Sequence, residues 1–322
     1  MLTLRQILKK AWQITWQNPA LWFFGIFVAL LGAGGEIEIL WRSVTLGQAE
    51  GDKGLLWSFL SGFIDGKLFT LAAFKGFFKA LVTQPLVLFI MMLILMVVIG
   101  IVVLLVWLTI VSQTGLVNGV IDSVKSNKKT TWGKNFAAGV YKFWPVLSLN
   151  AIVKILFWLL FMILGYIATL NFIGYGPLFI VSFVIFILSI IIVSLIIKYA
   201  IFAVVIRNSN FSDSIKSAVD LFRKNWLLSL EVAVVLFVIY CVANSIFAIP
   251  RGLMFLYGLK LYNVSPIIFY SINVLIVVFF VIIQMFLAIF HWTSWVLVYE
   301  VISSKTVKMS SRLVEIFYKI FS

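Results

Sequence analysis

The chain has 322 residues, of which 63% are hydrophobic and 11% charged, with a mean hydropathy of +1.15. Soluble domains are nearer half apolar and a quarter charged, so a soluble fold is excluded and an integral membrane protein remains. The net charge of +14 does not point to nucleic acid, because the cations flank apolar runs and form no patch interleaved with base-stacking aromatics. Anionic lipid headgroups are the expected counter-charge.

In chain order, Leu4–Gln17 reads as an amphipathic helix, with Ile7, Leu8, Ala11, Trp12 and Ile14 apolar and Arg5, Lys9 and Lys10 basic. Asn18-Pro19 breaks into a short first span, Pro19–Gly35. A basic lead, an apolar run and small residues also describe a cleaved signal peptide, but this lead is too long and aromatic for one. Residues 36–84 form an outer insertion whose charges cancel, with Leu55–Val82 expected as helices at the outer interface.

Span two, Pro85–Ser112, exits through Gly115 and Gly119, a small-xxx-small pair suited to close helix packing. The following loop carries Lys125, Lys128, Lys129, Lys134 and Lys142 against Asp122, which marks it as cytoplasmic. Thr131–Phe143 is a second amphipathic segment, leading to span three from Trp144 to about Leu170. Span four runs from Leu178 to about Ile206, with Lys198 its only charge. A third amphipathic segment, FSDSIKSAVDLFRK, starts at Phe211 and precedes span five, Trp226–Ile249. Pro250–Pro266 is expected as an outer loop, followed by span six from Ile267 to about Val301 and a basic amphipathic tail, 303–322. Each amphipathic segment is expected to lie on the membrane by its apolar face.

Apolar runs of roughly 20 residues without alternation mean helices, not barrel strands. The expected fold is an all-α integral membrane domain with six transmembrane helices. Ala11, Ala137 and Ala218 fall in register, as do Leu21, Leu147 and Leu228. A single polytopic domain of three pseudo-repeats, each an amphipathic helix plus a helical hairpin, follows: 1–122 with the insertion, 123–206 and 207–302. Cation bias places both termini in the cytoplasm. Most of the 12 tryptophans fall where a span meets an interface, as aromatic belts do.

The order K-K-A-W…N-P-x-L-W into span one and S-I-K-x-A…L-F-R-K-N-W into span five resembles a broad set of bacterial membrane proteins. Among them is the membrane domain fused ahead of the catalytic domain in some glycerophosphodiester phosphodiesterases. The resemblance implies a bacterial cytoplasmic membrane and a six-helix domain. It implies no catalytic residues, since in the fused proteins those belong to a separate soluble barrel.

Ionisable residues inside spans are costly and mark function by default. Lys154 in span three and Glu231 in span five lean to the cytoplasmic half, where they could pair, and Asn150 and His291 come to the same half. These four form the candidate intramembrane polar site, with snorkelling of Lys154 and an interfacial Glu231 as the plainer account. Asn244, Asn273 and Gln284 read as interhelical hydrogen-bonding groups. With one histidine and one cysteine, Cys241, no metal, cofactor or catalytic triad is expected. The expected function is a non-catalytic membrane protein that organises lipid or a partner. A transporter or channel is the alternative, and an intramembrane enzyme comes last.

Overall fold

A computed structural model describes residues 2–29, 83, 85–126, 131–171, 176–304 and 309–310. Its helices are α1 (Leu4–Gln17), α2 (Ala20–Ala29), α3 (Pro85–Ser126), α4 (Trp132–Tyr141), α5 (Phe143–Asn171), α6 (Gly176–Arg207), α7 (Phe211–Lys224), α8 (Trp226–Val264) and α9 (Pro266–Ser303). A two-residue parallel pairing joins β1 (Leu2–Thr3) to β2 (Met309–Ser310). Five of these helices, α3, α5, α6, α8 and α9, contain stretches long and apolar enough to cross a membrane. The chain is therefore an all-α, multi-pass membrane protein. The outer insertion 36–84, apart from Thr83, and most of the tail 303–322 lie outside the described residues.

The chain divides into two compact units, Leu40–Trp107 and Met1–Ile39 with Leu108–Ser322. In the first, the described stretch of α3 is an apolar helix whose Leu93, Val97, Ile101 and Leu104 are exposed. The second holds the core. There Thr109–Val117 of α3, Ile197–Val205 of α6 and Ala288–Tyr299 of α9 are buried without a break. A helix buried on every side for more than two turns must be surrounded by other elements.

The surrounding elements are the amphipathic helices and the spans that follow them. α1, α2 and α8 pack on α9, while α5 and α7 pack on α6. α4 meets α3 where Gly139 lies against the backbone of Val111, and α2 meets α3 where Phe24 and Leu21 reach Gly115 and Gly119. Glycine is required at these contacts because an added Cβ would collide with the neighbour. At Gly115 it would come within 2.9 Å of Phe24 Cε1 and 3.0 Å of the Asn135 carbonyl, and at Gly119 within 2.7 Å of Leu21 Cδ2.

Four sequence expectations are corrected. Ile7, Ala11 and Ile14 of α1 and Ala218 of α7 are buried, so these apolar faces are taken up by protein and not by lipid. Ala137, set against Ala11 and Ala218 by sequence, is exposed where they are buried, while Gly139 and Leu149 are buried at the ten-residue spacing of Ala11–Leu21 and Ala218–Leu228. Composition aligned alanine with alanine, but the close approach to Val111 selects glycine. Helix α3 does not stop at Ser112 and continues to Ser126. The expected outer loop Pro250–Pro266 is helical to Val264 despite Pro250, as membrane helices tolerate proline where the freed carbonyl finds another partner. The turn into α9 is Ser265, whose hydroxyl oxygen accepts from the Ile268 amide, with Pro266 opening the helix.

Helix ends repeat one device. Asn18 after α1 and Asn225 after α7 each donate a side-chain amide to the carbonyl four residues back, on Ile14 and Leu221, both at 3.0 Å. Each thereby satisfies a carbonyl that the helix end would leave open.

Candidate functional site: a buried polar seam between α6 and α9

Lys198 of α6 and His291 of α9 are each only 3% exposed, and Lys198 Nζ lies 3.1 Å from His291 Nε2. An ammonium can only donate, so with Lys198 charged the imidazole accepts at Nε2 and carries its proton on Nδ1. The Lys198 ammonium also sits 5.0 Å from the Trp295 ring centroid, within reach of the ring's negative face. His291, Trp295 and Tyr299 recur at four-residue spacing and so share one side of α9.

The seam continues towards the helix ends. Tyr199 packs beside Trp295 and Tyr299, with ring centroids 6.1 Å away in both cases. Its hydroxyl lies 2.7 Å from Ser229 Oγ on α8. Since Ser229 donates to the Asn225 carbonyl at 2.8 Å, the Tyr199 hydroxyl must be the donor of the pair. Arg207 lies over the Tyr299 ring at 5.7 Å and donates to the Ser303 carbonyl at 3.3 Å. From His291 to Tyr299 the seam spans roughly 12 Å along the axis.

Several buried polar atoms of α3 and α9 have no partner among the described residues: Ser112 Oγ, Thr293 Oγ1, Trp292 Nε1, Trp295 Nε1 and the Tyr299 hydroxyl. Such groups are costly when unpaired and suit water or a polar ligand.

The expected site residues are dispersed. Asn150 donates to Gln113 Oε1 of α3 at 2.8 Å and to the Val146 carbonyl at 2.9 Å. Lys154 is exposed, with no ion-pair partner among the described residues, and Glu231 is half-buried. These two are not brought together, and His291 belongs with Lys198 instead. Asn244 and Gln284 do bond across α8 and α9 at 2.7 Å, whereas Asn273 donates to the Phe269 carbonyl of its own helix at 2.9 Å. Gly115 and Gly119 lie at the contacts with α2 and α4.

The residue that sequence reasoning passed over is Lys198. Its signal was present, as the single charge in an apolar span, but Lys154 had the same signal. Only the rotation of each helix separates them.

Towards the surface, charged groups tie the ends of α3, α6 and α9. Lys125 of α3 lies 3.9 Å from Glu300 of α9, and Lys134 of α4 lies 2.7 Å from Asp122 of α3. Lys142 bridges α4 and α6, donating to the Val204 and Val205 carbonyls at 2.8 and 2.9 Å and to Asn208 Oδ1. Asn208 ends α6 in the left-handed conformation, φ 55°, which asparagine tolerates better than most residues.

No family model matches the chain, and no curated protein or solved structure matches it significantly.

Proposed function

We propose that this chain is a non-catalytic integral membrane protein that organises anionic lipid at the cytoplasmic face of a bacterial inner membrane. The observation that carries this reading is the unbroken burial of Ile197–Val205 and Ala288–Tyr299. With the interior of these helices filled by side chains, the surface is left to act. That surface is basic, with Arg5, Lys9, Lys134, Lys216, Arg223 and Lys224 all exposed.

The reading includes six crossings. β1 and β2 are hydrogen-bonded neighbours, so residues 2–3 and 309–310 share one side of the membrane. Five crossings between Pro85 and Ser303 would put those two residues on opposite sides. A sixth crossing, begun by α2, would return the chain to the side that the β1–β2 pairing asks for. The pseudo-three-fold arrangement is supported by the packing order: α4 rests on α3, α7 on α6, and α1 closes the cycle on α9. Each amphipathic helix thus leans on the long helix one step earlier in the cycle. The resemblance to the phosphodiesterase-associated membrane domain fits both features and the bacterial setting.

Lipid analysis after gentle detergent extraction tests the function. Anionic phospholipid should be enriched in the purified protein over the bulk membrane, and equal composition would overturn the reading. Tags at Asn127 and Asn210 should report the same compartment. A second reading, transport of a small polar solute, is favoured by the unpartnered Trp295 indole N–H of the ring beside Lys198. It requires solute-dependent flux in proteoliposomes that Lys198→Met abolishes.

A further inference from the structure

α1 carries three distinct faces. Ile7, Ala11, Ile14 and Thr15 are buried against the core. Gln6, Lys10, Gln13 and Gln17 are exposed on a polar face. Between these lies a third stripe, Arg5, Lys9, Trp12 and Trp16, which recur at intervals of four, three and four and therefore stack on one side of the helix. Arg5 and Lys9 are exposed, and Trp12 and Trp16 are 51% and 49% exposed.

The stripe does not end with α1. Trp16 stacks on Phe286 of α9 with ring centroids 4.7 Å apart, and Trp12 meets Phe290 edge-on at 6.0 Å. Trp22 closes on the same Phe286 at 5.1 Å. Its indole N–H donates to the Thr15 carbonyl at 2.9 Å, which fixes the corner between α1 and α2. Two cations are thus followed by exposed indoles and then by the phenyl rings of a membrane-spanning helix. A phospholipid presents phosphate, glycerol and acyl chain in that same order, and indoles favour the level of the glycerol. From Lys9 to Trp12 is roughly 4.5 Å along the helix, and from Arg5 to Trp16 roughly 16 Å.

We propose that the Arg5–Lys9–Trp12–Trp16 stripe, continued by Phe286, is a seat for one anionic phospholipid. The phosphate lies between the Arg5 guanidinium and the Lys9 ammonium, and the upper acyl chain rests along Trp12, Trp16 and Phe286. This site rests on the reading that the chain engages anionic lipid, and it names where.

The full chain is reconstituted in phosphatidylcholine vesicles with a minor fraction of brominated phosphatidylglycerol, whose bromines quench nearby tryptophan. Quenching should exceed that given by the same fraction of brominated phosphatidylcholine. Arg5→Gln with Lys9→Gln should weaken phosphatidylglycerol binding about 25-fold, at about fivefold per cation, and remove the excess. Trp12→Phe with Trp16→Phe should also remove the excess while the lipid stays bound. Lys10→Gln, on the polar face of α1, should leave it intact. If the excess survives both stripe variants, or is lost only with Lys10→Gln, the seat is elsewhere and the general reading stands. If the unaltered chain shows no excess and retains no anionic lipid, the site and the reading fall together.

Discussion

Along α6 and α9, similar residues meet two environments. Ile180, Val181, Ile185 and Leu188 of α6 are exposed, as are Val274, Leu275, Val277 and Phe279 of α9. Further along, Ile197–Val205 and Ala288–Tyr299 are wholly buried. Hydropathy does not distinguish the two stretches, because lipid tails are as apolar as leucine and give helices no hydrophobic reason to associate. What distinguishes them is what they carry: Ser194, Lys198, His291, Thr293 and Ser294 are all buried, and an amphipathic helix rests on each of the two, α7 on α6 and α1 on α9. Association here comes from close packing and hydrogen bonds, so the buried stretches should respond to single substitutions and the lipid-facing ones should not.

Leucine truncation on α6 should separate the two environments most widely. Leu195 is 1% exposed and Leu188 52%. Leu195→Ala leaves a cavity in a packed interior and should cost about 2–5 kcal/mol. Leu188→Ala, on the exposed stretch, should stay within about 0.5 kcal/mol. Thermal unfolding in mild detergent measures both, and equal losses would mean that the exposed stretch is packed in the folded protein.

The two intramembrane lysines sharpen the same contrast. Lys198→Met removes a buried hydrogen-bonding partner of His291 and should cost about 1–3 kcal/mol, while Lys154→Met, at an exposed position, should change little. In a double-mutant cycle with His291→Leu, the Lys198 and His291 losses should be non-additive by at least about 0.5 kcal/mol. Additive losses would show that the 3.1 Å approach carries no coupling.

These residues also show what the sequence made legible. The helices of the three amphipathic segments and five of the apolar spans were readable because period and composition are local properties. The ends of spans were less so: Ser112 and Pro250 look like stops, yet α3 and α8 run through them, since termination depends on whether neighbours satisfy the backbone. Helix rotation was not readable. Lys154 and Lys198 both interrupt apolar runs, and nothing local says which one faces protein. The Gly115–Gly119 spacing signalled close packing, whereas Gly139 gave no such sign and Ala137 drew the alignment away from it.

Gly139 therefore offers the next comparison. Its Cβ position is occupied by the Val111 backbone, whereas nothing lies within 4 Å at Gly252. Gly139→Ala must push α4 off α3 and should cost about 1–3 kcal/mol. Gly252→Ala, inside α8, should stabilise by up to about 1 kcal/mol through helix propensity. If Gly139→Ala is neutral, α4 does not dock as closely as this contact requires.

The smallest effect concerns Lys142, which lies outside the spans. Burial holds its ammonium below the ordinary 10.5. Below its folded pKa, Lys142 is protonated in both states, and burial of the charge costs stability. Between that pKa and 10.5 the unfolded chain binds more proton than the folded chain, so stability must rise with pH. The stability difference between the unaltered chain and Lys142→Met should therefore shift towards the unaltered chain as the pH approaches 10.5. The amine keeps donors for the Val204 and Val205 carbonyls after losing its proton, so the α6 cap survives the titration. An opposite slope would mean that the ammonium's hydrogen bonds to α6 outweigh its loss of hydration, making the charge itself part of what holds α4 against α6.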